Sequence, residues 1–439
     1  MTLHDTLARF NSALSWNAAL YIIYKIFFTG LSLALFNTLR TNDYSLWANT
    51  NSIIFLFLLW IDCGMRKSVP RFIPEFLFSD KSTHRFLMWI SALQMFLIFA
   101  ATPLLYKSLA YTATVLHQDS LYAITFGLAL FFTQGIIAII RLIYHSYFMQ
   151  KQFNLLAIII MTIEMICNLF FFFSTEHTVH FVYTLFTTKL CADVILAVIS
   201  IPLFIKLMQG GVYPELVADK QIKHPTEKKL EKQFIVHSFF MWATTAIKSL
   251  TERNFLVPLI THTAGPEAAN IFKVANDGAL IFYRFILKTI GTADTSLLTY
   301  AGMHNKKDLL DNAFTKLRSR VAGLCLPLLG VIVLLAVYKS VFFSNHYVFH
   351  IFILMATCYL IETLLLPFER IIEVKRDYFN LIIGYIPYAI IIFIITNRIL
   401  MTSIGTVQFI IIVHSVRLVS AFLFVYLSRR VYSVRSFFS

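Results

Sequence analysis

The stretch LYIIYKIFFTG, Leu20 to Gly30, puts a single lysine, Lys25, in the middle of an apolar run. That run extends from about residue 14 to residue 37, long enough for a helix to cross a hydrocarbon core about 30 Å thick. Lys25 lies about 11 residues from either end, roughly 16 Å from each surface at about 1.5 Å per residue. A lysine stem is too short to snorkel that far, and facing lipid the ammonium would cost about 2.5–3.5 kcal/mol. Asn17, Tyr21 and Lys25 recur at i, i+4 and i+8, so they share one helix face. That face requires water or protein beside it.

The same reading extends along the chain. Its 439 residues are 58% hydrophobic and 14% charged, where soluble domains carry about a quarter charged residues. Apolar segments of spanning length lie near 14–37, 46–65, 86–106, 120–143, 154–174, 180–205, 233–260, 268–291, 319–338, 345–367, 377–397 and 404–428. Lipid offers backbone groups no partner, so these segments must be helices; barrel strands would be half as long and alternate strictly. The expected fold is an all-α polytopic membrane protein with about twelve transmembrane helices in two halves around a central cavity. The first run is too long for a signal peptide and lacks a small-residue cleavage site, so it reads as a retained helix. Cys63, Cys167, Cys191, Cys325 and Cys358 all fall in these segments without metal-binding spacing, so neither a disulfide nor a zinc site is expected.

Loop charge sets the orientation. The N-terminus, the even-numbered loops and the C-terminus together carry 25 Lys and Arg, and the odd-numbered loops carry 4. The positive-inside rule then places both termini in the cytoplasm. The net charge of +14 follows from this topology and points to anionic lipid, not nucleic acid.

The longest polar segment, about 206–232, falls between the sixth and seventh spans. It divides the chain into an N-terminal half, 1–206, a cytoplasmic linker, 207–232, and a C-terminal half, 233–439. Lys25 in the first span and Lys248 in the seventh are 223 residues apart, and the Leu46-Trp47 and Ile271-Phe272 pairs align at an offset of 225. This is the pattern of a parallel repeat, which places a binding site between halves near the midplane.

Further charges lie inside spans. Thr244, Lys248 and Glu252 form a stripe on the seventh, with Arg253 beside it. Lys189 and Asp193 are four apart on the sixth; this lysine either faces a cavity or neutralises the aspartate. Glu164 and Asn168 are four apart on the fifth, Gln134 and Arg141 seven apart on the fourth, and His414 and Arg417 share a face of the last. The eighth carries Lys273, Asp277, Arg284 and Lys288. Arg141, Lys273 and Lys288 read as interfacial anchors, Asp62 as a helix-end residue, and His414 as a packed histidine. Pro258 could let the seventh helix bend. Together these faces imply a hydrated, mainly cationic cavity suited to an anionic cargo such as a phosphate, pyrophosphate or sugar acid. No P-loop, GxSxG or HExxH motif is present, and the external loops are short, which counts against an enzyme.

The segment LRTNDYSLWANTNSIIFLFLLWIDCGMRKSVPRFIPEF, Leu39 to Phe76, carries a family resemblance. It has an acidic-aromatic loop, a helix, Asp62-x-Gly64, and then Arg71-Phe72. With the twelve-helix topology, the two halves and the charges in the first and seventh helices, it resembles the Wzx-like polysaccharide flippases of the multidrug/oligosaccharidyl-lipid/polysaccharide exporter superfamily. The low glycine content departs from that family. The resemblance implies translocation of a lipid-linked oligosaccharide, on a polyprenyl pyrophosphate, by alternating access. The partners would be that cargo, membrane lipids and other polysaccharide-assembly proteins. Lys25 and Lys248, backed by Lys189, Arg253 and Arg417, would bind the cargo. Glu252, Asp193 and Glu164 would take part in proton or sodium coupling, with no other cofactor.

Three readings compete. A drug or cation antiporter of the same superfamily would need an acidic cavity. A lipid II flippase would have fourteen helices. A membrane-embedded glycosyltransferase or polymerase would turn over a sugar donor and tolerate loss of the lysines.

Overall fold

The computed structural model describes residues 27–69, 83–146, 149–174, 178–208, 227–290, 307–337, 346–397 and 405–432, with positions 16, 19, 20, 22, 23 and 72. Among these residues every regular element is a helix. They are α1 (Phe27–Thr38), α2 (Thr41–Trp60), α3 (Thr83–Val115), α4 (Ser120–Ser146), α5 (Gln150–Ser174), α6 (Val179–Met208) and α7 (Glu227–Ser249). Then follow α8 (Arg253–Ala264), α9 (Pro266–Ile290), α10 (Lys307–Val337), α11 (His346–Val374), α12 (Tyr378–Tyr385), α13 (Tyr388–Thr396) and α14 (Thr406–Tyr432).

Each of the twelve apolar segments meets helix. Seven helices, α3, α4, α5, α6, α10, α11 and α14, are long and apolar enough to cross a membrane among the described residues, and the bent pair α12–α13 makes an eighth. Of the others, α1 and α8 are too short, and α2, α7 and α9 are more polar. In α2, for example, Asp43, Ser45, Asn49, Thr50 and Ser52 are all buried.

Two expected spans are broken. The segment 233–260 is α7 and α8, separated by a turn in which Glu252 adopts an extended conformation, φ −93° and ψ 155°. Pro258 sits inside α8, so the break precedes the proline instead of following from it. The segment 377–397 is α12 and α13, bent by 50°, and here the break falls at Pro387, which opens α13. The Asp377 carboxylate starts α12 by accepting the backbone N–H of Asn380 at 3.2 Å and the Tyr432 hydroxyl at 2.7 Å.

The described residues form two compact units. One comprises those of Met1–Phe27 with Asn37–Ala246, the other Phe28–Phe36 with those of Ile247–Ser439. The first unit thus takes most of α7, and the second takes the middle of α1. Most of the 207–232 linker lies outside the described residues, while its last residues are helical and open α7. In the first unit α4 packs on α3 and α6, and α2 lies against α3, α4 and α6. In the second, α11 is the central helix, packed on α9, α10, α12 and α14.

What fastens α7 to the first unit is a turn that few sequences could make. Cys63 and Gly64, directly after α2, both have positive φ, 48° and 75°. A Cβ at Gly64 would stand 2.3 Å from the Ser238 carbonyl oxygen and 2.9 Å from the Trp242 nitrogen, both on the α7 backbone. Only glycine permits that approach. Trp242 Nε1 then donates to the Trp60 carbonyl at 2.8 Å, and Phe234 meets Phe72 and Phe86 edge-on at 5.6 and 4.8 Å. Asp62 stays at the helix end, accepting the Arg66 N–H at 3.2 Å and pairing with its guanidinium at 3.3 Å. Gly64 in the Asp-x-Gly pattern therefore has a packing reason; Arg71, further along that pattern, lies outside the described residues.

Gly64→Ala should destabilise the protein by about 1–3 kcal/mol or more, combining left-handed strain with a backbone clash. Thermal unfolding in detergent measures it; an unchanged midpoint would mean that α7 is not seated on this turn.

Candidate functional site

The second unit buries two ion pairs along one face of α11. Glu362 and Glu369 are seven residues, about two turns, apart and therefore share that face. Lys248, in the last turn of α7, places its ammonium 2.7 and 2.8 Å from the two carboxylate oxygens of Glu369. The Tyr385 hydroxyl donates to the same carboxylate at 2.6 Å, and the ammonium lies 5.3 Å from the Tyr385 ring centre. Arg417, on α14, donates from Nε at 2.8 Å to Glu362 Oε2, with Nη2 2.7 Å from that same oxygen. Its guanidinium lies 4.8 Å from the Tyr359 ring and 5.9 Å from that of Tyr283, within cation–π range.

Both pairs line one narrow cleft, with a cavity volume of about 10 Å³, whose other walls include Tyr388, Ser420, Leu365 and Phe424. The Lys248 side chain is 24% exposed and that of Arg417 only 7%, so the lysine is the more accessible cation. His414 packs edge-on against Tyr359 at 5.1 Å and is buried.

A second cluster in this unit holds Arg253. Its guanidinium pairs with Asp277, whose other carboxylate oxygen is 3.0 Å from Lys273 Nζ. Lys273 also donates to Ser32 of α1 at 2.9 Å. Lys273 is only 3% exposed, so it is an interior residue and not the interfacial anchor its position in the span implied; the ion pair one turn along α9 is what permits that burial.

In the first unit, Lys189 pairs with Asp193 at 2.6 Å and lies 3.6 Å from Glu164 on α5. Gln134 of α4 donates to Asp193 at 3.2 Å. Both carboxylates are buried, so two buried acids share one described cation.

The structure therefore brings Lys248 and Arg417 together on one cleft, and Lys189, Asp193 and Glu164 into one cluster. Arg253 lies in a separate ion-pair group. Glu252 is half-buried at the start of α8, where its side chain makes no capping bond. Lys25 lies outside the described residues, as does the side chain of Lys288. Sequence reading missed Glu362, Glu369 and Tyr385. The two acids, seven apart at the end of an apolar segment, were the available signal; Tyr385 had none.

No protein-family model matches the sequence, and no curated protein matches it. Solved structures do. A MATE protein crystallised in a bent conformation superposes with a TM-score of 0.66 at 15% identity, covering 99% of this chain and 98% of that one. An outward-facing multidrug resistance MATE family transporter of the MOP superfamily gives 0.64 at 13%, covering 96% of both chains. The fold is shared with MATE transporters. A MOP superfamily transporter from Pyrococcus furiosus, described as having a binding pocket of reversed polarity that suggests a different function, gives 0.63 at 13%, again covering 96% of both. At these identities the likeness is one of fold.

Removing one member of a buried pair strands the other. Arg417→Met should cost about 3–5 kcal/mol by leaving Glu362 buried and uncompensated, whereas Arg417→Met with Glu362→Met should recover most of it. Unfolding midpoints of the three proteins decide this; a double variant no better than the single would show that Glu362 is not what makes the loss costly.

Proposed function

We propose that this chain is a membrane transporter, not an enzyme, that moves an anionic lipid-linked oligosaccharide, on a polyprenyl pyrophosphate, across the cytoplasmic membrane by alternating access. The observation that carries this reading is the delivery of Lys248 and Arg417, from two different helices, to one cleft in a MATE-like fold. Lysine and arginine are the side chains that bind phosphate oxygens by charge-assisted hydrogen bonds, and arginine does so bidentately. Lys25, at the corresponding place in the first half, is assigned to the same task from its sequence position. The two halves, 1–206 and 233–439, would rock about the cargo with both termini cytoplasmic, while the lipid tail stays in the bilayer. The fold tolerates pockets of differing polarity, as the description of the Pyrococcus furiosus relative implies.

Coupling is assigned to the Lys189–Asp193–Glu164 cluster. Among the described residues it sets two carboxylates beside one ammonium, a charge that a proton or sodium ion would balance. Arg253 supports its own cluster with Asp277 and Lys273 in this scheme.

One observation favours the drug or cation antiporter: Glu362 and Glu369 neutralise the cleft, and an organic cation could take the place of an ammonium on either. Liposomes reconstituted with the protein separate the two. The expected result is transbilayer movement of a fluorescent polyprenyl-pyrophosphate oligosaccharide, at least about tenfold slower in Lys248→Gln, with no uptake of tetraphenylphosphonium. Movement of the cation alone would replace this reading with the antiporter. In the same vesicles, Glu164→Gln should abolish acceleration by an imposed ion gradient yet leave downhill exchange; gradient dependence that survives it removes Glu164 from coupling.

A further inference from the structure

We propose that the cleft recognises its anion by ion-pair exchange, with the carboxylates of Glu369 and Glu362 acting as resident stand-ins that the cargo diphosphate displaces from Lys248 and Arg417. This rests on the transport reading above and specifies how that site binds and lets go.

Three observations carry it. First, the cleft holds two cations and two carboxylates, so it is neutral as it stands. A diphosphate cannot enter beside two ionised carboxylates without like-charge repulsion, so it takes their partners over as the released carboxylates take up protons. Second, the contacts made by the carboxylates are those a phosphate makes. Lys248 Nζ reaches both oxygens of Glu369, at 2.7 and 2.8 Å, as a point cation reaches a phosphate edge. Arg417 presents Nε and Nη2, the two donors of its fork, to the single oxygen Oε2 of Glu362. A phosphate would offer that fork two oxygens in parallel and would satisfy it better. Third, the two acids are graded in hold. Glu369 is steadied by the Tyr385 hydroxyl at 2.6 Å, and its lysine is the more exposed of the two cations. Exchange therefore begins at Lys248 and ends at the deeper Arg417.

A carrier must release as well as bind. Bare cations in a low-dielectric cleft would hold a diphosphate too tightly. With exchange, the cargo gains only the difference between its own contacts and those of the carboxylates, and departure is assisted as Glu369 and Glu362 recapture their partners. The empty cleft never carries unpaired charge, so it can change conformation without a desolvation cost.

The test is equilibrium binding of radiolabelled geranylgeranyl diphosphate to the full chain in nanodiscs, with inorganic pyrophosphate as a competitor to show whether the headgroup alone is recognised. Glu369→Gln removes the competing charge while keeping the shape and the Tyr385 partner, and should bind about tenfold tighter with slower dissociation. Tyr385→Phe leaves every charge in place and loosens only the hold on Glu369, so it should tighten binding about two- to threefold. Lys248→Gln should weaken binding about tenfold. If Glu369→Gln and Tyr385→Phe bind no tighter than the unmodified protein while Lys248→Gln still weakens binding, exchange is overturned and the cargo reading stands. If Lys248→Gln binds as the unmodified protein does, or the unmodified protein does not bind the diphosphate, the cargo reading falls and exchange with it. Each variant is scored only after its unfolding midpoint shows that it folds.

Discussion

A charge buried in a membrane protein must be balanced inside the protein, and the arrangement of α7, α9, α11 and α14 follows from that constraint. In a low-dielectric interior the Coulombic attraction is strong, but so is the penalty for any partner left alone. Lys248 at the end of α7 and Arg417 in the middle of α14 can exist where they do because α11 carries Glu369 and Glu362 two turns apart. Helix α11 is accordingly the helix on which its neighbours in the second unit pack. The same rule buries Lys273 beside Asp277.

The two units balance their charges differently. The cleft of the second pairs each cation with one carboxylate, so its neutrality is complete without a ligand. Among the described residues, the cluster of the first sets two buried carboxylates around Lys189. Each acid of the second unit's cleft thus has a side-chain cation of its own, whereas Glu164 and Asp193 share one.

The helical fold was legible because bilayer physics writes it plainly. The twelve apolar segments follow from the cost of exposing backbone and charge to lipid. The break at Pro387 was readable for the same reason, since a proline removes a donor. The break at Leu250–Glu252 was not, because no residue there forbids helix and the extended backbone of Glu252 is a tertiary outcome. In the site, the cations stood out as anomalies in apolar runs. Their partners did not: Glu369 falls just past its apolar segment, 345–367, and Glu362 is a single acid near the end of it. An open cationic cavity was expected for that reason alone; with Glu362 and Glu369 counted, the cleft is balanced. Gly64 was visible as part of a pattern, but its purpose, contact with the α7 backbone, depends on a helix about 180 residues away.

The place where the chain passes from one unit to the other bears on the cleft directly. The boundary falls between Ala246 and Ile247, and the helix itself ends at Ser249. Lys248 stands between these two points. Upstream of it, α7 is fixed by the glycine turn, the Trp242 hydrogen bond and the Phe234 aromatic contacts, all interactions with the first unit. Downstream, the backbone leaves helical geometry within two residues. Lys248 is thus carried by the last turn of a helix, while Arg417 is held between Tyr283 and Tyr359 in the interior of α14. The more accessible of the two cations is also the one at a helix end, where backbone carbonyls left without helical partners favour a positive charge.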